Sequence, residues 1–452
     1  MKKWITDAIF YHIYPLGLCG APQRNDFNAA AEPRLEQIYG WLEHIQSLGA
    51  NALYLGPLFE SSNHGYDTAD YYHVDRRLGT DETLARLSAI MHERGLRLVL
   101  DGVFNHVGRD FWAFRDVLVN REGSAYLDWF ANLRFGQRSP YNDPFSYEGW
   151  NGHYELVKLN LGYPAVKEHL FGTVESWIRD FKIDGLRLDA ADCLDFDFIR
   201  ELAGFCHKLR PDFWLMGEVI HGDYRRWVNP QMLDSVTNYE VYKSLYSSHV
   251  DHNYFEIAYA LNRQFGPDGV YRGLPLYAFA DNHDVNRVAS SLANPHQLYP
   301  LYCLLFSLPG VPSIYYGSEW GITGKRTYYS DLPLRPQLNL EEADRIAPQP
   351  RLPADIARLA AVRKNSAALR EGDYRQLLVQ SEQLVFVRQA KDERVIIAVN
   401  GAEKPVTVRF ELPAGFGSRL EDLLNPVGGF STNRKGELEV EIPAGWGRFL
   451  KG

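Results

Sequence analysis

Short apolar runs alternate with amphipathic segments through roughly the first four-fifths of the chain. The runs are AIFYHIYP from Ala8, ALYLGP from Ala52, LRLVLDGVF from Leu96, IDGLRLDA from Ile183, FWLMGE from Phe213, LDSVTN from Leu233, LPLYAFADN from Leu274 and PSIYYG from Pro312. Near-continuous apolar runs of this length predict strands buried on both faces, as in a parallel sheet. Each is followed, sometimes after a long excursion, by a segment of helical period, such as LEQIYGWLEHIQSLG after Pro33 or DETLARLSAIMHERG after Thr80. Thr80 is placed to cap the second of these helices and Gly95 to end it. Eight such units predict an α/β chain folded as a (β/α)8 TIM barrel. An open doubly wound sheet is the structural rival, but no G-x-G-x-x-G follows the first run.

Two regions break the alternation. Residues 107 to 160 carry 12 aromatics in 54 positions, with scattered Gly, Asn and Pro and little helical period. They predict a loop domain inserted between the third strand and the third helix. From Glu371 onward, runs such as QLVFVRQ, RVIIAVN and VTVRFEL alternate with turn signals, and helical patterns cease. That predicts a C-terminal all-β sandwich. The expected organisation is barrel over 1–106, insert over 107–160, barrel again over 161–370 and sandwich over 371–452.

Composition narrows the partners more than the fold. With 45% hydrophobic and 23% charged residues, the chain is an ordinary globular protein. A net charge of -9 and the absence of any long basic run make nucleic acid and anionic membranes poor partners. Cys19, Cys193, Cys206 and Cys303 form no C-x-x-C pair and predict reduced thiols. Met1-Lys2-Lys3 resembles the start of a leader, yet Thr6 and Asp7 follow Trp4-Ile5 at once, so the expected location is the cytoplasm. The uncharged stretch from His296 to Ser318 is interrupted by Pro300, Pro309 and Pro312, which favours a buried helix and strand over a membrane span.

Polar residues recur at the C-terminal ends of the predicted strands, the rim where a barrel of this kind builds its active site. Asp101 and Asn105 end the third, Asp189 the fourth and Glu218 the fifth, while His283 and Asp284 follow the seventh. In GLRLDAADC, Arg187 and Asp189 are two apart on a strand and share a face, so the arginine is expected to hold the aspartate ionised, as a nucleophile requires. The alternative for that segment is a structural ion pair. Glu218 follows Phe213-Trp214-Leu215-Met216-Gly217, apolar surroundings that raise a carboxyl's pKa and suit a general acid. In FADNHDVNR, Asp281, His283 and Asp284 crowd one strand end, where a helix cap and turn is the structural alternative. Taken together, an ionised carboxylate, a protonated carboxyl and a third carboxylate on one rim meet the needs of glycosidic bond cleavage. The 61 aromatics of the chain would supply platforms for sugar rings or simply fill its core.

The motifs DGVFNH at 101 to 106, GLRLDAADC at 185 to 193, GEVI at 217 to 220, FADNHD at 279 to 284 and GVPSIYYGSE at 310 to 319 resemble those of the α-amylase superfamily of glycoside hydrolases. The resemblance implies that Asp189 is the nucleophile, Glu218 the general acid/base and Asp284 a third carboxylate that stabilises the transition state. It implies that Arg187 orients Asp189, that His106 and His283 bind hydroxyls of the cleaved sugar, and that Tyr66 of HGYDTADYYHVD stacks on it. Asp67, Asp101 and Arg287 would brace the site. LVKLN at 156 to 160 and GEVIHGDYRRW are similar to the neopullulanase, cyclomaltodextrinase and maltogenic amylase group. That group's N-terminal β-domain has no counterpart, since the first barrel strand begins near Ala8, so its dimer is not implied. Asp192-Cys193 stands where many α-amylases carry Lys-His, and only Asn105 matches a calcium ligand, so no cofactor is expected to be required and no full calcium site is implied.

The resemblance therefore implies a retaining hydrolase of α-1,4 bonds in maltooligosaccharides or cyclodextrins, with α-1,6 cleavage or glycosyl transfer as further activities. An α-glucanotransferase, a trehalose- or sucrose-type enzyme and an inactive carbohydrate-binding barrel are the alternatives. Trp112, Trp129, Phe135, Tyr147 and Trp150 of the insert are expected in loops over the rim, about half of them filling the insert's own core. Walled in that way, the site would favour short oligosaccharides.

Overall fold

A computed structural model describes residues 3–417, 419–425, 429–433 and 436–452. All eight predicted strands form: β1 (Phe10–Ile13), β2 (Ala52–Leu55), β3 (Arg97–Gly102), β4 (Gly185–Leu188), β5 (Trp214–Gly217), β6 (Ser235–Val236), β7 (Tyr277–Phe279) and β8 (Val311–Tyr315). They pair in parallel in the order β6-β5-β4-β3-β2-β1-β8-β7. A parallel bridge between Thr237 and Tyr277 joins β6 to β7 and completes the ring.

The two-residue period of a strand decides what lies inside the ring. Phe10, Ala52, Tyr54, Val99, Trp214, Met216, Tyr277, Phe279 and Val311 form the lumen core, while neighbours such as Tyr11, Leu53, Leu98, Leu186 and Leu215 belong to the core shared with the surrounding helices. Continued two residues toward the C-terminal end, the inward series runs from Val99 to Asp101, from Arg187 to Asp189 and from Met216 to Glu218. The same alternation that packs the lumen thus delivers the charged groups to its mouth. At the opposite end Ile5 joins the lumen core and Trp4 packs against it, so the apolar residues of the amino-terminal segment plug the barrel.

The predicted cap is present at Thr80, whose side chain accepts from Thr83 N–H at the start of helix Asp81–Glu93. The stretch from His296 to Ser318 holds helix Leu298–Ser307 and β8, as its prolines indicated. No helix among the described residues is long and apolar enough to cross a membrane. One expectation fails: β5 has no helix of its own, since only the 3-10 turn Tyr224–Arg226 lies between it and β6. Gly222, Asn229 and Pro230 crowd that short connection with residues that oppose a continuous helix.

The insert is a three-stranded sheet of His106–Gly108, His153–Lys158 and Gly149–Trp150 beside a helix, Trp112–Asn120. That helix departs from the expectation of loops alone. Its buried face is only Ala113, Phe114 and Val117, a spacing hidden among aromatics on every side. The C-terminal part is a sandwich of a six-stranded antiparallel sheet and the pair Val406–Glu411 and Glu437–Ile442. In strand Gln383–Ala390, Val385 and Val387 face the partner sheet whereas Leu384 and Phe386 belong to the barrel's core.

Candidate active site

Arg187 on β4 is the hub of the rim. Its Nη1 lies 2.8 Å from Asp101 Oδ1 and 2.8 Å from Asp189 Oδ1, and its Nη2 lies 2.8 Å from Glu218 Oε2. One guanidinium therefore ties the ends of β3, β4 and β5. Two small residues make room for the group: a Cβ on Gly56 would fall 2.4 Å from Asp101 Cβ, and one on Gly217 would fall 2.5 Å from Leu233 Cδ1. Ala190, next to Asp189, adopts left-handed φ 44°, ψ 45°, a strained conformation for alanine, and its N–H donates to Glu218 Oε2 at 3.1 Å.

Exposure rises from floor to mouth. The Asp101 side chain is fully buried, those of Asp189 and Glu218 are 11% and 12% exposed, and that of Asp284 is 30% exposed. Asp101 Oδ2 also accepts Tyr54 Oη–H at 2.8 Å and Tyr66 Oη–H at 3.0 Å, so this carboxylate braces the floor. Tyr66 Oη touches His283 Nε2 as well, and the two rings stack at 5.5 Å. His283 Nε2 in turn lies 2.9 Å from Asp284 Oδ2.

Burial sets the protonation of the group. It pushes the Asp189 carboxyl well above the usual carboxylate range, with Arg187 opposing, and it pushes Glu218 up in the same way. Arg187 does pull the Asp189 pKa down as expected, but its guanidinium is shared among three carboxyls and burial outweighs it. At Asp284 burial also opposes ionisation, but His283 and Arg335 outweigh it and hold the carboxyl well below its ordinary value. Burial takes His106 down to about 3, leaving a neutral imidazole. Its Nδ1 faces Asn105 Nδ2 at 3.1 Å, which assigns the ring proton to Nε2, a buried atom with no hydrogen-bond partner 3.8 Å from Asp189 Oδ2.

Asp67 lies beside Tyr66 and fixes its loop, accepting from Asn63 Nδ2 at 2.7 Å and from His64 N–H at 3.1 Å. Arg287 makes no hydrogen bond or ion pair to Asp189, Glu218 or Asp284. It lies over the Tyr315 ring at 4.6 Å and donates to Tyr316 O at 2.8 Å, while Asp281 accepts from Ser318 Oγ at 2.8 Å beside it, so the two brace the loops after β7 and β8. Of the five insert aromatics singled out above, Trp129 and Tyr147 are buried in the insert, and Trp112 packs edge-on against Trp129. Trp150 is the one that meets a rim residue, 5.5 Å from His106.

Sequence reasoning missed Arg335 and Tyr239. Arg335 Nη2 is 2.9 Å from Asp284 Oδ1, its Nε donates to His283 O at 3.0 Å, and it lies over the Tyr14 ring at 4.6 Å. Tyr239 Oη donates to Glu218 Oε1 at 3.3 Å and accepts from Asn282 Nδ2 at 3.2 Å. Among the described residues, no group of three or more acidic, His or Cys side chains is placed to hold a metal ion.

A parallel barrel with a buried arginine, four carboxyls and two imidazoles at its C-terminal mouth is the arrangement of a barrel enzyme whose site is built from carboxyl groups. The chain belongs to the α-amylase family of glycoside hydrolases: residues 25–358 match the family described as alpha amylase, catalytic domain. It is 32% identical over 433 residues to a cyclomaltodextrinase from Bacillus sp, covering 90% of this chain and 75% of that protein. It is 31% identical to neopullulanase 2 of Thermoactinomyces vulgaris, covering 97% and 77%. The solved structure of cyclic alpha-maltosyl-(1→6)-maltose hydrolase from Arthrobacter globiformis, in complex with that cyclic sugar, superposes with a TM-score of 0.83 at 29% identity, covering 100% of this chain and 99% of that one.

Proposed function

We propose that the protein is a retaining hydrolase of α-1,4-glucosidic bonds in maltooligosaccharides and cyclodextrins, with α-1,6 cleavage and glycosyl transfer as accompanying activities, working in the cytoplasm. The observation that carries this proposal is the single guanidinium of Arg187 bridging Asp189 and Glu218, two buried carboxyls whose pKa values burial raises, beside an Asp284 that His283 and Arg335 hold low. The named activities of the relatives, on cyclodextrins and on maltosyl rings with α-1,6 links, support the substrate class. The absence of disulfides among the four cysteines accords with a reducing compartment.

In this mechanism Asp189 Oδ1 is held by Arg187 and Oδ2 attacks the anomeric carbon, forming a covalent glycosyl-enzyme. Glu218 Oε2 holds the charged Arg187 and the Ala190 N–H, which leaves Oε1, beside Tyr239 Oη, to carry the proton that passes to the departing glycosidic oxygen. Glu218 then accepts a proton from water, which releases the sugar from Asp189. Asp284 and the Nε2–H of His106 take hydroxyls of the bound glucosyl unit, and Tyr66 meets its ring.

A product profile over maltotriose, cyclodextrins, pullulan and soluble starch tests the substrate class. Higher kcat/KM on the short and cyclic sugars, with maltose and glucose dominating, is the expected result. Net glycosyl transfer without reducing-sugar release would identify a glucanotransferase, turnover of trehalose or sucrose alone would identify the third kind of enzyme, and binding without turnover would identify an inactive barrel.

A further inference from the structure

The loop after β8 carries the two most exposed large apolar side chains among the described residues, Tyr328 and Tyr329, 92% and 91% accessible. They are neighbours in the chain, and their rings lie edge to face at 4.8 Å. Two adjacent bare rings are an unusual cost on a surface that otherwise scatters its apolar groups singly.

The loop that presents them is tightly built. Thr327 donates both its N–H, at 3.0 Å, and its hydroxyl, at 3.1 Å, to Ser330 O, which makes the tyrosines the tip of a turn. Below the tip Arg326 grips Asp331 through Nε at 2.5 Å and Nη2 at 3.3 Å, and its N–H donates to Asn286 Oδ1 at 2.8 Å. At the base Gly324 O accepts from Arg287 N–H at 3.0 Å, and a Cβ on Gly324 would fall 2.1 Å from Pro333 O, so the two limbs of the loop close on each other.

The same loop is wired to the reaction centre. Asp331 Oδ2 is 3.6 Å from Arg335 Nη2, the nitrogen that lies 2.9 Å from Asp284 Oδ1. Tyr328 is three residues before Asp331, so its Cα is at most about 11 Å from that of Asp331. The turn that carries the rings is therefore anchored beside the mouth.

We propose that Tyr328 and Tyr329 form an outer stacking surface for a glucosyl unit of an α-glucan chain, a few sugars from the scissile bond, and so favour maltoheptaose over maltotriose among the short oligosaccharides. This inference rests on the hydrolase function proposed above. A pyranose ring offers an apolar face that a tyrosine ring can cover, and a turn whose backbone is already held by its own hydrogen bonds forfeits little backbone entropy on binding. Only substrates long enough to reach the tip would gain.

The test compares Tyr328→Ala/Tyr329→Ala and Tyr328→Phe/Tyr329→Phe with the wild type on maltotriose and maltoheptaose, alongside sedimentation velocity. The expected result is about a tenfold fall in kcat/KM for maltoheptaose in the double alanine variant, the scale of one lost aromatic contact, with maltotriose within about twofold. The phenylalanine variant should match the wild type, since it keeps the rings. An unchanged ratio between the two sugars overturns the platform. So does a change of sedimentation in the alanine variant with equal losses on both sugars, which would mark the pair as a contact between copies of this chain. A wild type inactive on both sugars would instead defeat the hydrolase function itself.

Discussion

At Asp284 a carboxyl that is 30% exposed owes its ionisation to two neighbours, His283 and Arg335. Removing Arg335 leaves burial less opposed, so the carboxyl's pKa rises. Asp284 must be ionised to stabilise an oxocarbenium-like transition state, and activity would then be lost at a higher pH as the medium is acidified. For Arg335→Met we expect kcat/KM to fall and the acidic limb of its pH profile to move upward, while the alkaline limb stays with the Asp189 and Glu218 pair. A uniform loss at every pH would give Arg335 a merely structural part. Asp189→Asn removes the attacking oxygen's charge but keeps its shape, and a drop in kcat of at least about a thousandfold is expected, with maltoheptaose still binding in calorimetry. Retention of a tenth of the rate would exclude Asp189 as nucleophile. Asp101, Arg187, Asp189 and Glu218 were legible in the sequence because each lies at the end of an apolar strand whose two-residue period fixes its direction. Arg335 and Tyr239 were not, because they reach the site from the segments after β8 and β6, where no periodicity aims a side chain.

Among the elements, β3, β4 and two helices are locked together under the barrel by Asp184. Its carboxylate lies 2.7 Å from Arg97 and 2.6 Å from Arg210, accepts from Leu98 N–H at 2.9 Å, and meets His92 Nε2 at 2.8 Å. Burial raises its pKa, but His92, the Leu98 N–H and the two arginines prevail and hold it low. A carboxyl with a lowered folded pKa stabilises the fold above its unfolded value, near pH 4, and that contribution is lost as the pH falls through the folded value. Asp184→Asn should cost about 2 kcal/mol in urea denaturation at pH 7, less than a wholly buried pair because the Arg97 side chain is 37% exposed. The difference from wild type should shrink toward pH 3, and a pH-independent difference would contradict the electrostatic account. At this scale the sequence disclosed every strand of the barrel, whose apolar runs are dense and short. It misjudged helix Trp112–Asn120, where a narrow buried stripe is masked by aromatic neighbours, and the helix expected after β5, where Gly222, Asn229 and Pro230 oppose one.

The whole molecule is held as one body by a sheet with two buried faces. Leu384, Phe386, Ile397, Val399 and Phe449 belong to the same core as the barrel's helices, and Val385, Val387 and Ile396 to the core of the sandwich. Arg388 crosses the junction to donate to Gly372 O at 2.8 Å and to Ser307 O at the end of helix Leu298–Ser307. Heat should therefore unfold barrel and sandwich together, in a single calorimetric transition, and a chain ending at residue 371 should be insoluble because it bares the apolar helix Leu298–Ser307. Two resolved transitions would contradict this coupling.

The account rests on a double displacement at Asp189, and the anomer first released reports it most directly. Proton NMR of maltotriose hydrolysis, recorded before mutarotation, should show the new reducing end as the α anomer, since two inversions at one carbon restore its configuration. Initial release of the β anomer would contradict the covalent intermediate and with it the assignment of Asp189 and Glu218.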